Sequence, residues 1–250
     1  MKIIHARFIL EKVLMKVAIV VPAHNEEENI KRLISDIDKV LRSLDRSISE
    51  NQIIIVDDNS DDNTSIILRD LSKEMTNLTP IYRNDGVCGV GLTLREGIKA
   101  AKNSDIIVTM DSDFSHDPNE IPKLIQGIKN GADLVIGSRY MKGGRADMPR
   151  SRILISGLYN ILSKIFLRTF INDLTTGFRA VRKKAVEKIE LNSEGFEIHP
   201  EIHLKVYKKG FKVIEVPIHY HRRGGGTSKL RYFKVGPGYL KVVFKQLLKQ

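Results

Sequence analysis

Ile106-Ile107-Val108-Thr109-Met110-Asp111-Ser112-Asp113 passes without a break from an apolar, β-branched run into two carboxylates, and His116-Asp117-Pro118 follows. The run has the length and composition of a strand buried on both faces. Two like charges at the end of such a strand are costly unless a cation sits between them. A divalent metal carrying a nucleoside diphosphate fits that need, because hard oxygen ligands suit Mg²⁺ or Mn²⁺. The alternative is a solvated turn in which an Asp caps the helix that Pro118 opens.

Three further apolar runs have the same character: Val17–Val21, Ile53–Val56 and Leu134–Ile136. Amphipathic stretches separate them. Glu26–Leu44 places Ile30, Leu33, Ile34, Ile37, Val40, Leu41 and Leu44 at helical spacing, Leu92–Ala101 follows a Gly-rich segment (86–91), and Pro118–Lys129 begins with a proline at its first turn. This alternation predicts an α/β fold with a mostly parallel sheet and helices on both faces. Ligands of such sheets bind beyond the carboxyl ends of the strands. Every predicted strand ends in chemistry: Pro22-Ala23-His24-Asn25-Glu26, Asp57-Asp58-Asn59-Ser60, Asp111-Ser112-Asp113 and Gly137-Ser138-Arg139-Tyr140. Four polar clusters on one rim favour an active site over turn chemistry.

At 250 residues with 42% hydrophobic content, the chain is expected to form one domain or one domain plus an appendage, and wholesale disorder is not expected. Its single cysteine, Cys88, rules out an internal disulfide framework. A net charge of +11 points to anionic partners such as phosphorylated small molecules or a membrane surface. Nucleic acid is the weaker choice, since Trp is absent, aromatics are 6% and no binding motif is found. The N-terminal apolar stretch is broken by charges, and no run approaches the roughly 18–20 apolar residues a spanning helix needs. The chain is therefore expected in the cytosol, held peripherally on the cytosolic membrane face.

Taken together, these motifs resemble the family 2 glycosyltransferases of GT-A fold, and more narrowly the dolichol-phosphate or polyprenyl-phosphate mannose synthases. The resemblance runs from about Met15 to Leu230. It rests on Val20–Glu26, on Val56–Ser60 with Asp61–Thr64, on Asp111–Pro118, on Gly137–Tyr140, on Asp173–Arg179 and on Gly226–Leu230. Two departures stand out. Ser115 replaces the Gln that the family places two residues after the second metal Asp. The family's start matches Met15-Lys16-Val17, leaving 1–14 as an N-terminal extension, 15–230 as the transferase domain and 231–250 as a basic amphipathic segment.

The resemblance implies a metal-dependent transferase that moves a hexose, mannose first, from a nucleotide sugar, GDP-mannose first, to a polyprenyl or dolichyl monophosphate. Pro22, His24, Glu26, Val56, Asp57 and Asp58 would frame the nucleoside; the alternative for Asp58 is an Asx turn. Asp111, Ser112 and Asp113 would hold the diphosphate through Mg²⁺ or Mn²⁺, with Ser115 as a weak metal ligand. Arg139 is a candidate for donor phosphate contact, and Arg150, Arg152, Arg179, Arg223 and Lys229 for the acceptor phosphate. Asp113, Arg139, Arg179 and Lys229 form the expected catalytic set. The basic loop Arg222–Gly226 would either close over the phosphates or serve as a connector. Glu197 and His199 could supply a base for a hydroxyl acceptor, although Glu201 and His203 nearby have the pattern of a helix face.

A lipid phosphate acceptor is already anionic, so positioning and charge management can replace a general base, and in-line displacement would invert the anomeric centre. Two segments could meet the membrane without spanning it. Arg150–Phe170 carries an apolar arc flanked by basic residues, and Gly238–Gln250 sets Lys241, Lys245 and Lys249 opposite Leu240, Val243, Phe244, Leu247 and Leu248. The alternative for the latter is a helix packed on the core or on a partner; a membrane-protein subunit is a candidate partner. Rival readings are a UDP-hexose synthase of the same type, a family 2 transferase acting on a glycan hydroxyl, and a non-catalytic nucleotide-sugar or membrane-binding module.

Overall fold

The computed structural model describes residues 14–167 and 169–223. The N-terminal segment 1–13, Gly224–Gly226, Lys229, and the expected basic segment 231–250 lie outside the described residues.

The chain alternates strand and helix through its first half: β1 (Met15–Ala23), α1 (Ile30–Ser43), β2 (Ile48–Asp58), α2 (Thr64–Glu74), β3 (Leu78–Arg83), α3 (Val90–Ala100) and β4 (Ile106–Thr109). A 3-10 turn (Pro118–Glu120) then leads into α4 (Ile121–Lys129) and β5 (Leu134–Ser138). The second half holds β6 (Arg145–Ala146), α5 (Arg150–Leu167), β7 (Arg179–Arg182), α6 (Lys183–Val186), α7 (Ile198–Lys208), β8 (Val213–Pro217) and β9 (His219–Tyr220). Seven strands form the main sheet in the order β3-β2-β1-β4-β7-β5-β8, and β6 pairs with β9 in a separate parallel ribbon. All pairings in the main sheet are parallel except those of β7, which runs antiparallel between β4 and β5. The mostly parallel sheet expected from the sequence is present, with one strand reversed.

The period-two alternation of β1 separates the two layers. Val17, Ile19 and Val21 face α1, α2 and α4, while Ala18 and Val20 face α3 and α7. Helix α1 buries Ile30, Leu33, Ile34, Ile37, Val40 and Leu41, as its spacing predicts. It begins at Ile30 rather than Glu26: residues 27–29 form a turn in which the Asn29 amide bonds the Glu26 carbonyl at 2.9 Å and the Asn29 side chain bonds the Glu26 carboxylate at 2.8 Å, and the Ile30 amide makes the first helical bond to that carbonyl. Helix α3 lies close on the sheet through Gly97, where a Cβ would come within 2.3 Å of a Val20 methyl. From β1, the chain steps to β2 on one side, while β4 lies on the other. That reversal opens a crevice at the carboxyl ends of β1, β2 and β4.

Candidate active site

Three loops leave that rim, and each turns through a residue in the left-handed region: Asn25 (φ 55°), Asn59 (φ 59°) and Phe114 (φ 60°). Asparagine tolerates this conformation; phenylalanine does so at a cost, and such strain concentrates where a loop must be aimed. The first two loops are zipped together. The amides of Asn25, Glu26 and Glu27 donate to Ser60, Thr64 and Asp62 at 2.9, 2.9 and 3.1 Å, and Glu27 accepts in return from the Asn63 amide at 3.0 Å. Asp61–Thr64 thus serves to hold the β1 loop.

The two Asp residues ending β2 have different duties. Asp57 accepts from the Ser60 amide at 3.2 Å and from the Ser65 hydroxyl, so the turn chemistry considered for Asp58 belongs to its neighbour. Asp58 instead meets Arg83 at 2.5 Å and the Gly89 amide at 2.8 Å. Arg83 also bonds Asp85 and Glu96. With the Asp58 and Arg83 side chains 8% and 3% exposed, the pair is buried and its geometry fixed. Val56 is wholly buried between the sheet and α3, so it can frame a nucleobase only with its backbone. Pro22 and His24 are half-buried at the rim and Glu26 is buried beneath it.

The β4 loop holds the carboxylate pair. Asp113 accepts from the Ser115 amide at 3.0 Å and faces Arg223 at 3.3 Å; the same guanidinium reaches Glu26. Burial, and then the neighbouring Asp113 charge, push the Asp111 carboxyl up to about 7. Such a pair, one member destabilised as an anion, fits a divalent cation, whose charge relieves the repulsion. Asp111 and Asp113 would hold it. Gly177 leaves Asp111 its space, since a Cβ there would sit 2.7 Å from the Asp111 carboxylate. Ser112 is buried. Ser115, expected as a third ligand, is 1% exposed, and the contact it makes to the pair is through its backbone amide on Asp113.

Two arginines are placed differently from expectation. Arg139 is clamped by Asp173 through two bonds of 2.7 and 2.8 Å, with Thr175 at 2.6 Å, leaving little of its fork for a donor phosphate. Burial alone would lower its pKa, but the Asp173 charge and hydrogen bonds hold it above the ordinary value. Arg179 is 2% exposed, and its guanidinium donates to the carbonyls of Thr176, Leu174 and His199. It braces the Asp173–Arg179 loop from inside; a phosphate contact is corrected to a positioning duty. Arg150 and Arg152 open α5, the first exposed and the second half-buried, and Lys229 lies outside the described residues. His199, at 2% exposure, and Glu201, at 4%, belong to the buried face of α7, with Glu201 accepting from the Asn192 and Ser193 amides; Glu197 caps the Gly195 turn.

The chain and its fold have clear relatives. Residues 18–190 match the model of "Glycosyl transferase family 2". The chain is a family 2 glycosyltransferase. It is 40% identical to a "Dolichol-phosphate mannosyltransferase" of Pyrococcus furiosus over 87% of this chain and 60% of that protein, so it spans well under the full length of that relative. It is 30% identical to a "Polyprenol monophosphomannose synthase" of Mycolicibacterium smegmatis over 90% of this chain and 84% of the relative. An "Undecaprenyl-phosphate mannosyltransferase" of Micrococcus luteus is also 30% identical, over 91% of this chain and 93% of its own. Among solved structures, glucosyl-3-phosphoglycerate synthase from Mycobacterium tuberculosis, in complex with Mn²⁺, UDP and glucosyl-3-phosphoglycerate, matches 93% of this chain and 80% of its own. The TM-score is 0.69 at 18% identity, which establishes the shared GT-A fold.

Several residues that shape this family 2 site were not assigned from sequence. Arg83 orients Asp58, Asp173 orients Arg139, and Glu215 holds the Asp173 loop by accepting from the Asn172 amide group and the Asp173 amide at 2.7 and 2.9 Å. His116 is fully buried against Phe178, and its Nδ1 accepts from the Asp111 amide at 3.1 Å, which fixes the metal loop. Asp173 and His116 lie inside quoted motifs, but Arg83 and Glu215 carry no local signal.

Proposed function

We propose that this glycosyltransferase moves mannose from GDP-mannose to a polyprenyl monophosphate at the cytosolic face of a membrane, with Mg²⁺ or Mn²⁺ bound by Asp111 and Asp113. The observation that carries this reading is Arg223, a cation resting on Asp113 and Glu26 at the mouth of the carboxylate pair. The three relatives described above, each named for mannose transfer to a polyprenol-type phosphate or synthesis of its mannosyl ester, support the sugar and the acceptor class.

The bound metal would supply charge neutralisation for the departing nucleoside diphosphate. The chain's own residues do the rest. Asp58, held by Arg83, offers a fixed acceptor to the donor's hydroxyl or base N–H groups. Displaced from Asp113 when that carboxylate is engaged, Arg223 is positioned to swing onto phosphate oxygens. Arg150, Arg152 and Lys229 are proposed for the acceptor phosphate. Because that phosphate is an anionic nucleophile, no base need remove a proton, and attack from the face opposite the diphosphate inverts C1.

Helix α5 supports the membrane side of the proposal. Its polar edge faces inward: Asn160 accepts from the Leu174 amide at 3.0 Å, Lys164 donates to Asn172 at 2.9 Å and Ser156 bonds the Tyr140 phenol. Its apolar edge faces outward, with Leu154 72%, Leu158 59%, Ile161 57% and Ile165 67% exposed. Apolar surface of that extent on a helix beside the rim matches an interfacial helix. Among the described residues, no helix is long and apolar enough to cross a membrane.

The test is to incubate the purified protein with a short polyprenyl phosphate, Mg²⁺ or Mn²⁺, and GDP-mannose or UDP-glucose in parallel, reading the glycolipid by mass spectrometry and its anomeric configuration by NMR. β-Mannosyl lipid from GDP-mannose alone is expected. Product from UDP-glucose only would change the donor, and an α-linked product would overturn inversion. No lipid product from either would return the chain to hydroxyl acceptors or to a binding module.

A further inference from the structure

A second group of ligating side chains lies on the β6–β9 ribbon. His219 lies in β9 and His221 just past its end, two residues on, with their rings 4.0 Å apart. On the neighbouring strand, Arg145 pairs with His219 and Ala146 with Tyr220, so the next residue, Asp147, comes level with His221; its amide donates to the Tyr220 carbonyl at 2.8 Å. One ligand atom each from Asp147, His219 and His221 lie within 4.8 Å of one another, and Asp147 already meets His219 Nε2 at 2.6 Å.

We propose that Asp147, His219 and His221 form a second metal site, selective for Zn²⁺-class transition ions and separate from the Asp111–Asp113 pair. The chemistry of the donors sets the preference. Two imidazoles and one carboxylate suit Zn²⁺, Co²⁺ or Ni²⁺, whereas an all-oxygen pair suits Mg²⁺ or Mn²⁺. Zinc bonds of about 2.0–2.1 Å place donor atoms closer together than the present spread, which rotation about the side-chain bonds can close. The backbone is held for this: both carboxylate oxygens of Glu120 lie within 3.3 Å of the His219 amide, and the His221 amide donates to the Ser115 carbonyl at 2.9 Å. Arg145, which meets the other Asp147 oxygen at 3.2 Å, competes for the carboxylate, but its side chain is 71% exposed and free to turn away.

The consequence is mechanical. Between the two histidines, Tyr220 stands edge-on to His116 at 5.4 Å and under the Arg139 guanidinium at 5.2 Å, and two residues beyond His221 lies Arg223 on Asp113. A metal across the ribbon would staple the segment that carries Arg223 to the metal loop, so occupancy should stabilise the fold and slow the movement of that arginine.

The experiment is a Zn²⁺ titration by calorimetry on the full chain held in excess Mg²⁺, with Co²⁺ absorption and histidine NMR as second readouts. Wild-type protein and the Asp111→Asn/Asp113→Asn variant should both bind Zn²⁺ tightly, with the His219 and His221 ring signals shifting. His219→Ala and Asp147→Ala should each lose that binding while keeping their circular dichroism. Equal Zn²⁺ uptake by His219→Ala, or wild-type uptake that leaves both ring signals unmoved, would overturn the proposal. Since no transferase assay enters, failure here is distinguishable from failure of the proposed reaction.

Discussion

At the scale of single residues, space and partnership decide what each motif member does. Gly177 sits where any side chain would strike Asp111, so Gly177→Ala should move that carboxylate and weaken Mn²⁺ binding by roughly tenfold while leaving the fold intact. Isothermal titration of Mn²⁺ checks this, and unchanged affinity would remove Gly177 from the site's design. Arg179 and Arg223 make a contrasting pair. Arg179 satisfies three buried carbonyls, so Arg179→Met should destabilise the protein by about 3–5 kcal/mol, measured by urea unfolding. Arg223→Ala should cost less stability than Arg179→Met, since Arg223 is the more exposed of the two, and should reduce glycolipid formation. A stable, slow Arg179→Met enzyme would reverse these assignments.

At the scale of elements, the strands that were legible are those with uninterrupted apolar runs. β1, β2, β4 and β5 appear where the runs predict. β3 was not read because Pro80 interrupts Leu78–Arg83; as the sheet's edge strand it can accommodate a proline. β7 was not read because Arg179-Ala180-Val181-Arg182 looks polar, yet both arginines donate to buried or nearby carbonyls, with Arg182 reaching Ile128 and Ala132. The apolar arc of α5 was legible as a candidate outward face; the structure adds that the polar edge is the one that packs. Replacing Leu158 and Ile165 with Glu should therefore change stability by no more than ~0.5 kcal/mol, as for exposed positions, yet reduce co-sedimentation with anionic vesicles about tenfold or more. Strong loss of stability instead would mean that this face packs against protein.

At the scale of the whole molecule, the balance of buried titratable groups predicts its response to acid. Burial lowers His116 to about 4 against the opposing charges of Asp113, Asp173 and Glu120; burial, with the Arg179 charge second, lowers His203 to about 3 and holds His199 well below its ordinary value. Each is neutral when folded but protonates near 6.5 when unfolded, so their stabilisation is complete above pH 6.5 and is lost as pH falls towards 4 and below. Asp111 acts in the opposite sense: raised to about 7, it favours the fold at low pH and loses that contribution as pH rises from about 4 to 7. Three groups against one leave a net loss in acid. Urea midpoints should drop between pH 7 and pH 5 in metal-free protein, and His203→Gln, which can keep a polar partner for Thr169, should flatten the slope. A midpoint independent of pH over that interval would refute this account.

The sequence by itself determined the parallel half of the sheet, the layers that cover it and the carboxylates on its rim. Those properties are local: strand and helix periods are written in neighbouring residues, and a charge that follows an apolar strand must emerge at its end. Tertiary structure decided which charged groups are free to act. Asp58 is matched by Arg83, 25 residues away, Arg139 by Asp173, 34 away, and Glu26 by Arg223, 197 away. Coulombic partnership depends on distance through space, so a motif can name an arginine without revealing whether its charge is already spent.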